Sequence, residues 1–210
     1  MPYRNREKHL AEFVPFMEEF LSEQKIPFHV FVVHQLDQKP FNRAKLLNIG
    51  FSLSFEFDYH AFHDVDMLPL DADYSYVEEP THLASQVEQF SWGLPYEGYF
   101  GGVTLFNQAD FRKINGFSND YWGWGAEDDD LLTRCMAVGL DARRREGRYI
   151  SLSHDKAPMS HYQDNLKKLR KLRSSNVRGK LMEDGLNSLE FREVRREKIT
   201  EKTTMIDVEI

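Results

Sequence analysis

The sequence predicts one α/β domain over residues 1–210, in which helices cross over a sheet. Helical and strand-like patterns alternate between residues 10 and 70, as they do where crossover helices connect strands. With 210 residues, 41% of them hydrophobic and 13% aromatic, the chain can bury a sizeable core. It contains neither an internal repeat nor a domain-sized linker. We therefore expect a ligand site at the carboxyl ends of the strands.

The first half of the chain contains two predicted helices and two predicted strands. Apolar residues at helical spacing predict the first helix; they are Leu10, Phe13, Val14, Met17, Phe20 and Leu21. Residues 26–33 are rich in β-branched and aromatic side chains and predict a strand. Residues 41–51 predict a second helix. Residues 62–70 predict a short strand that ends in acids and is halted by Pro69.

The second half begins with residues 71–98, which have a loop-like pattern with little periodicity. Gly101 and Gly102 then precede a predicted strand over 103–106, and a glycine pair allows the backbone to approach a ligand closely. Apolar spacing predicts a helix over 127–138.

Three further segments complete the chain. Residues 149–154 predict a strand, and residues 189–210 predict edge strands. Between them, residues 163–180 are strongly basic. We interpret this segment as a solvated helix face, with attraction of phosphate as the alternative.

Composition and charge exclude several classes of function. The net charge of -7 and the pI of about 5.6 argue against nucleic acid as the main partner. No apolar run approaches the roughly 20 residues that a membrane-spanning helix needs. The single Cys135 excludes an internal disulfide framework, and its helical position predicts a buried thiol.

The stretch from Tyr121 to Asp130 has the most distinctive pattern. Trp122 and Trp124 alternate with glycines, and four consecutive acids follow. Acids favour the first turn of a helix, because free backbone N–H groups and the helix dipole stabilise them. Aromatic rings stack on the C–H face of a sugar, and carboxylates accept hydrogen bonds or a proton from its hydroxyls. The pattern fits a sugar site, and also a capped helix with a solvated acidic first turn.

Asp64 and Asp66 follow a predicted strand and form a candidate metal site. Their spacing places both carboxylates on one side of an extended chain. Such hard oxygen ligands suit Mg(II) or Mn(II), which usually bridge to substrate phosphates. His154, at a later strand end, could add an imidazole ligand. The alternatives are a pair of solvated loop acids and a structural histidine.

Seven segments share their order and approximate spacing with one known family. They are Pro2–Glu7, Phe41–Asn48, His63–Asp66, Leu94–Val103, Asn115–Asn119, Tyr121–Asp130 and Asp184–Leu189. From end to end, the chain resembles the β-1,4-galactosyltransferase family of inverting glycosyltransferases. The resemblance implies a GT-A type fold, in which a mixed central sheet flanked by helices holds a UDP-sugar with Mn(II).

The resemblance also implies roles for individual residues. Positions that contact the nucleotide and diphosphate are matched by Pro2, Arg4, Arg6, Phe41, Arg43 and Asp64. The metal ligands are matched by Asp66 and His154. Positions around the two sugars are matched by Tyr96, Tyr99, Gly102, Trp122, Trp124, Glu127 and Asp129. The catalytic base is matched by Asp128.

The implied reaction is a single displacement with inversion. Asp128 would take the proton of an acceptor hydroxyl as that oxygen attacks C1 of galactose and UDP leaves, forming a β-1,4 linkage. The acceptor would be a glycan or glycoconjugate ending in xylose or GlcNAc. The single cysteine and the Trp-Gly core favour the xylose-accepting branch of proteoglycan-linker synthesis, whereas Asp130 fits the GlcNAc branch as well. The alternatives are UDP-GalNAc or UDP-glucose as donor, and a non-catalytic sugar- or nucleotide-binding module.

The chain departs from the family in two places. Relatives have a buried strand directly before the segment with which this chain begins. We therefore expect the first strand, the stem and the membrane anchor to lie outside residues 1–210, and these residues to be poorly stable alone. The anchor implies the Golgi lumen, whereas a complete chain of this length would imply the cytoplasm.

The second departure concerns a third metal ligand. Relatives supply a Met three residues before the histidine or a second His two residues from it, where this chain has Ser151, Leu152 and Lys156. We expect reduced metal affinity, with Met159 and His161 as candidate substitutes.

Overall fold

The computed structural model describes residues 1–154 and 159–210, in which eleven strands form three sheets. The strands are β1 (Pro2–Tyr3), β2 (Val30–Gln35), β3 (Tyr59–His63), β4 (Met67–Ala72), β5 (Thr81–His82), β6 (Gln86–Val87), β7 (Val103–Asn107), β8 (Arg143–Arg144), β9 (Gly147–Ser151), β10 (Arg192–Lys198) and β11 (Thr203–Glu209). The helices are α1 (Glu7–Glu23), α2 (Arg43–Ser52), α3 (Gln108–Lys113), α4 (Glu127–Ala137), α5 (Tyr162–Arg173) and α6 (Val177–Leu181). The predicted α/β class is confirmed.

The three sheets are mixed. The first has the order β1-β2-β11-β10, in which β1 and β11 run parallel to β2 and β10 is antiparallel to β11. The second has the order β3-β7-β5-β8, and the third the order β4-β9-β6. Asp64 follows β3 and His154 follows β9, so candidate site residues leave two different sheets.

The first core lies between α1 and the third sheet. The buried face of α1 consists of Phe13, Val14, Met17 and Leu21, as the helical spacing predicts. It packs in one cluster with Met67 of β4 and Tyr149 of β9.

A second core, rich in phenylalanine, holds α2, α3 and α4 together. The ring of Phe111 lies 4.4 Å from that of Phe62 and 4.6 Å from that of Phe51, measured between centroids. Leu131 and Cys135 of α4 are buried in the same cluster. The prediction of a buried thiol is confirmed, and burial raises the pKa of Cys135 to about 12. Because this core is continuous, the first turn of α4 is fixed relative to the end of β3.

The prediction of one strand over residues 62–70, halted by Pro69, is wrong. The chain turns at residues 64–66, and β4 continues through Pro69 to Ala72. Among the described strands β4 pairs with β9, which leaves one edge open, and the register shifts between Pro69 and Asp71. An edge strand with an irregular register tolerates a residue that has no N–H donor.

The prediction that residues 189–210 form edge strands is right for β10 and wrong for β11. β11 lies between β2 and β10, with Thr203 opposite Val30 and Val208 opposite Gln35. Parallel pairing with a strand more than 170 residues away is a tertiary contact that local alternation does not reveal. The short strands β5 and β6 within the segment predicted as a loop, and helix α3, were also missed.

The basic segment forms α5 and α6. α5 buries Asn165, Leu169 and Leu172 and exposes Lys167, Arg170 and Lys171, which agrees with a solvated basic face. In the two described ranges, no helix has the length and apolar character needed to cross a membrane.

Candidate active site

The four consecutive acids form the first turn of α4, and their side chains have different surroundings. Ala126, at φ +77°, redirects the chain into the helix. Asp130 is buried, forms an ion pair with Arg134 and accepts a hydrogen bond from the Tyr121 hydroxyl at 3.0 Å. Asp130 therefore anchors the turn, which leaves Glu127, Asp128 and Asp129 as candidates for chemistry.

Arg43 connects two of the sequence-predicted acids. Its Nε donates to Asp64 Oδ1 at 2.6 Å, and its Nη1 lies 3.6 Å from Glu127 Oε1. Burial lowers the pKa of Arg43, but the two carboxylates more than offset this and raise it. Glu127 Oε2 is buried and accepts no hydrogen bond from the described residues. One guanidinium thus joins acids that are 63 positions apart in the chain.

Asp128 lies against the glycine pair. A Cβ atom added to Gly101 would lie 2.5 Å from Asp128 Oδ2 and 2.7 Å from the Tyr99 hydroxyl. Burial, together with the nearby charges of Glu127 and Asp129, raises the pKa of Asp128 to about 7. A carboxylate with such a pKa can accept a proton near neutral pH.

Tyr99 lies between Asp128 and the segment of Asp64. Burial raises the pKa of Tyr99, and the charges of Asp128 and Asp64 add to the rise. The backbone N–H of Asp64 donates to the carbonyl of Gly102 at 3.1 Å. The segments around residues 64, 101 and 128 therefore share one cleft.

Asp129 lies beside Tyr96 on the outer side of the same turn. The Tyr96 hydroxyl donates to Asp129 Oδ2 at 3.2 Å, and Arg173 Nη2 of α5 lies 3.4 Å from Asp129 Oδ1. Arg173 is not among the sequence-predicted site residues, because a cation within a basic run is not distinguishable from its neighbours by its pattern.

Asp64 and Asp66 lie on a turn, so the expectation of an extended chain is wrong. The turn directs Asp64 to Arg43, while Asp66 Oδ2 lies 2.8 Å from His154 Nε2. Arg6 Nη2 lies 3.1 Å from His154 Nδ1, and a cleft of about 480 Å³ is lined by Arg6, His9, Ser153 and His154.

A carboxylate oxygen and an imidazole nitrogen that face one another form a donor pair suited to Mn(II). Asp66 and His154 therefore fit a divalent ion as two protein ligands. In residues 1–154 and 159–210, no cluster of three or more His, Cys, Asp or Glu could hold a metal. His161 lies against Gly123 instead, Met159 is exposed, and Lys156 lies outside the described residues.

Arg4 and Phe41, two of the residues for which the sequence predicts nucleotide contacts, lie next to the tryptophan loop (residues 121–125). Pro2 is buried in β1, and the Arg4 guanidinium lies 5.3 Å above the Phe41 ring. The carbonyl of Phe41 accepts a hydrogen bond from the N–H of Gly123 at 2.8 Å. Phe41 therefore contacts both the tryptophan loop and the Arg4 guanidinium.

The two tryptophans of this loop have different environments. Trp124 is half exposed, and its ring centroid lies 5.2 Å from that of Tyr162, whereas Trp122 packs on the hydrophobic cluster of β2 and α2. The side-chain amide of Asn165 donates to the carbonyls of Trp122 and Trp124, at 3.0 and 3.3 Å. Asn165 was missed, although its spacing from Leu169 and Leu172 marks it as a polar residue on a buried helix face.

Comparison with known proteins agrees with this geometry. Residues 1–78 match the family model for the N-terminal region of glycosyl transferase group 7, and residues 81–155 match that for the N-terminal domain of galactosyltransferase. β-1,4-Galactosyltransferase 2 of Cricetulus griseus is 36% identical over 216 residues, which are 98% of this chain and 58% of that protein. β-1,4-Galactosyltransferase 1 of Bos taurus is 35% identical, over 98% of this chain and 52% of that protein. The chain thus spans little more than half the length of these relatives.

Two solved structures match this chain over its whole length and over 91% of their own length. The catalytic domain of Drosophila β-1,4-galactosyltransferase 7 in complex with xylobiose is 30% identical, with a TM-score of 0.81 over 100% of this chain and 91% of that one. A variant of the same enzyme, in complex with manganese, UDP-Gal and xylobiose, superposes with a TM-score of 0.78. The fold is therefore of the GT-A type, and the chain belongs to the β-1,4-galactosyltransferase family.

Proposed function

We propose that the chain transfers galactose from UDP-galactose to the hydroxyl of a terminal xylose or GlcNAc and forms a β-1,4 linkage with inversion. The observation that carries this proposal is the position of Asp128, a carboxylate with a raised pKa that lies against Gly101 and Tyr99. The similarity to β-1,4-galactosyltransferases over 98% of the chain supports it.

The acceptor hydroxyl is a weak nucleophile until it loses its proton. Asp128 accepts that proton as the hydroxyl oxygen attacks C1 of galactose from the face opposite UDP. Glu127 is held by Arg43, and its second oxygen, which is buried and accepts no hydrogen bond from the described residues, binds a hydroxyl of the donor sugar. Asp129 and Tyr96 then bind hydroxyls of the acceptor from the outer side of the cleft.

The leaving diphosphate carries increasing negative charge. Arg6, beside the pair of Asp66 and His154, supplies a forked cationic donor for its oxygens. Asp66 and His154 would hold Mn(II), which, when bound, neutralises charge on the diphosphate. The manganese and UDP-Gal in the Drosophila complex support this assignment. Arg4 and Phe41 hold the nucleotide beneath the tryptophan loop, together with Pro2 and Asp64.

The tryptophan loop excludes water from the donor. Trp124 is the more exposed of its two rings and is the one that covers the galactose. Gly123 and Gly125 have φ values of +70° and +101°, which other residues adopt at a cost, so the loop depends on both glycines. Water would otherwise hydrolyse UDP-galactose.

Xylose is the acceptor we favour, because the Drosophila relative is complexed with xylobiose. We place the activity in the Golgi lumen, as for the family, and localisation of the tagged gene product tests this assignment.

The reaction is tested by incubating the protein and Mn(II) with UDP-galactose, UDP-GalNAc or UDP-glucose and a set of xylosides and GlcNAc glycosides. We expect a β-1,4-galactosylated product, identified by NMR, with one acceptor class. Transfer of only another sugar would change the donor. Binding of UDP without turnover of any donor would identify a non-catalytic module and overturn the proposal.

A further inference from the structure

Arg144 and His82 lie behind the cleft, on neighbouring strands that no part of the proposed mechanism uses. β5 and β8 pair in parallel, with His82 opposite Arg144. Arg144 Nη2 donates to the carbonyls of Glu97 and Tyr99, at 3.0 and 3.2 Å. The same guanidinium therefore holds two backbone positions of the segment that carries Tyr96, Tyr99 and Gly102.

Arg144 also determines the tautomer of His82. Its Nη1 lies 3.1 Å from His82 Nδ1, and a guanidinium has no acceptor, so Nδ1 must accept this hydrogen bond. The remaining proton is then on Nε2, which donates to the carbonyl of Gly101 at 2.8 Å. Burial lowers the pKa of His82 to about 4, so the ring stays neutral at physiological pH.

The carbonyl of Gly101 is the point at which this pair reaches the cleft. Gly101 leaves no space for a Cβ atom beside Asp128 Oδ2, so its backbone forms the surface against which the carboxylate lies. The His82 ring also packs edge-on against the Tyr99 ring, with 5.6 Å between centroids. A shift of His82 would therefore move both neighbours of Asp128.

We propose that Arg144 and His82 are positioning residues: Arg144 orients the imidazole, and the imidazole holds the Gly101 backbone and the Tyr99 ring against Asp128. The proposal rests on the proposed function, because it assigns Asp128 the role of base. It makes the geometry of the base depend on two residues that touch neither donor nor acceptor.

The first test compares Arg144→Gln with Arg143→Gln. Arg143 lies next to Arg144 in β8, but its guanidinium is exposed and pairs with Glu79 and Asp141. We expect Arg144→Gln to lower kcat about 10- to 100-fold while UDP affinity changes less than about twofold, since a displaced catalytic group costs rate rather than nucleotide binding. Arg143→Gln should retain the wild-type kcat.

The pH–rate profile distinguishes positioning from a loss of stability. If Gly101 moves away, water reaches Asp128 and its pKa falls toward the ordinary value, so the acid limb of kcat shifts to lower pH. A variant that is only less stable would have a lower kcat or a lower melting temperature, while the acid limb of its pH–rate profile would be unchanged. That result would overturn the proposal. Equal kcat and equal profiles for Arg144→Gln and Arg143→Gln would also overturn it.

Two substitutions of His82 separate its two hydrogen bonds. The amide of Gln reaches the position of Nε2 and can still donate to Gly101, whereas the amide of Asn reaches only the position of Nδ1. We expect His82→Gln to retain more kcat than His82→Asn, and the reverse order would contradict the proposal.

A readout independent of activity is the ¹⁵N NMR spectrum of His82. We expect the neutral Nε2–H tautomer from pH 5.5 to 8 in the wild type, and mixed tautomers in Arg144→Gln. An Nδ1–H tautomer in the wild type would overturn the inference even if transfer is observed. Absence of transfer by the wild type with the expected tautomer would instead count against the proposed function.

Discussion

Asp128 occupies a position in which its surroundings oppose the charge that it carries at neutral pH. Glu127 and Asp129 flank it and oppose its charge, whereas Arg43 and a hydrogen bond at 3.0 Å from the backbone N–H of Asp129 favour that charge. We expect Asp128→Asn to lower kcat by about 10²- to 10⁴-fold, because the amide cannot accept the proton. Calorimetric titration with UDP should give an affinity within about twofold of wild type. Wild-type turnover in this variant would remove Asp128 from the role of base.

The same residue gives stability a predictable dependence on pH. Its pKa is about 7 in the folded protein and 3.8 ordinarily, so between these values the folded state retains a proton that the unfolded state has lost. The contribution to the free energy of unfolding is complete below pH 3.8 and is lost as pH rises through 7. The melting temperature of Asp128→Asn relative to wild type should therefore be higher at pH 8 than at pH 5. An equal difference at both pH values would contradict this account.

Gly101 and Gly98 provide a matched pair in one segment. A methyl group at Gly101 would lie within 2.8 Å of atoms of both Asp128 and Tyr99, whereas nothing lies within 4 Å of the corresponding position at Gly98. We expect Gly101→Ala to destabilise the protein by about 1–3 kcal/mol and to abolish most transfer. Gly98→Ala should change the free energy of unfolding by less than about 0.5 kcal/mol. Thermal denaturation and initial rates measure both effects, and equal behaviour of the two variants would contradict the close packing.

At the scale of elements, α5 supports the site from both ends. Near its start, Tyr162 packs on Trp124, and Asn165 donates to the carbonyls of Trp122 and Trp124. At its end, Arg173 reaches Asp129. The helix thus contacts both the tryptophan loop and Asp129, so a basic segment without a distinctive pattern of its own supports two parts of the candidate site.

We expect Asn165→Ala to release the tryptophan loop, because two carbonyls lose their shared donor. The variant should be destabilised by about 1–2 kcal/mol and cleaved faster by chymotrypsin at residues 121–124. The share of UDP-galactose that is hydrolysed rather than transferred should rise. Gln163→Ala, an exposed position of the same helix, is the control. Equal cleavage and equal hydrolysis in the two variants would show that Asn165 does not hold the loop.

At the scale of the whole molecule, the site is an assembly of segments from distant parts of the chain. Arg6 and His154 are in contact although 148 positions separate them, and Asp66 comes from a turn between two sheets. Asp66 and His154 also contact each other directly, and we expect this contact to hold the two segments together when no ion is bound.

Chelation with EDTA should therefore abolish transfer but change the melting temperature by less than about 2 °C in the absence of UDP, which corresponds to at most about 1 kcal/mol. Adding Mn(II) back should restore the rate in the wild type and not in Asp66→Ala. Full activity after exhaustive chelation, confirmed by elemental analysis, would exclude a metal from the reaction.

Local sequence patterns were sufficient to predict the helices α1, α2 and α4 and the position of the acids at the start of a helix. Both features depend only on neighbours within a few residues. They failed at Pro69 and at β11. β4 continues through Pro69 because it lies at the edge of its sheet. β11 lies inside its sheet because it pairs in parallel with β2, which is far away in the sequence.

The sequence by itself determined the α/β class, the family and the residue types that its chemistry requires, because each of these is present in short segments and their order. The tertiary structure alone decided which acids share Arg43, that Asp130 is an anchor, and that Asn165, Arg173, Arg144 and His82 surround the site. Distances between remote residues, and the burial that shifts their pKa values, arise only when the chain is packed.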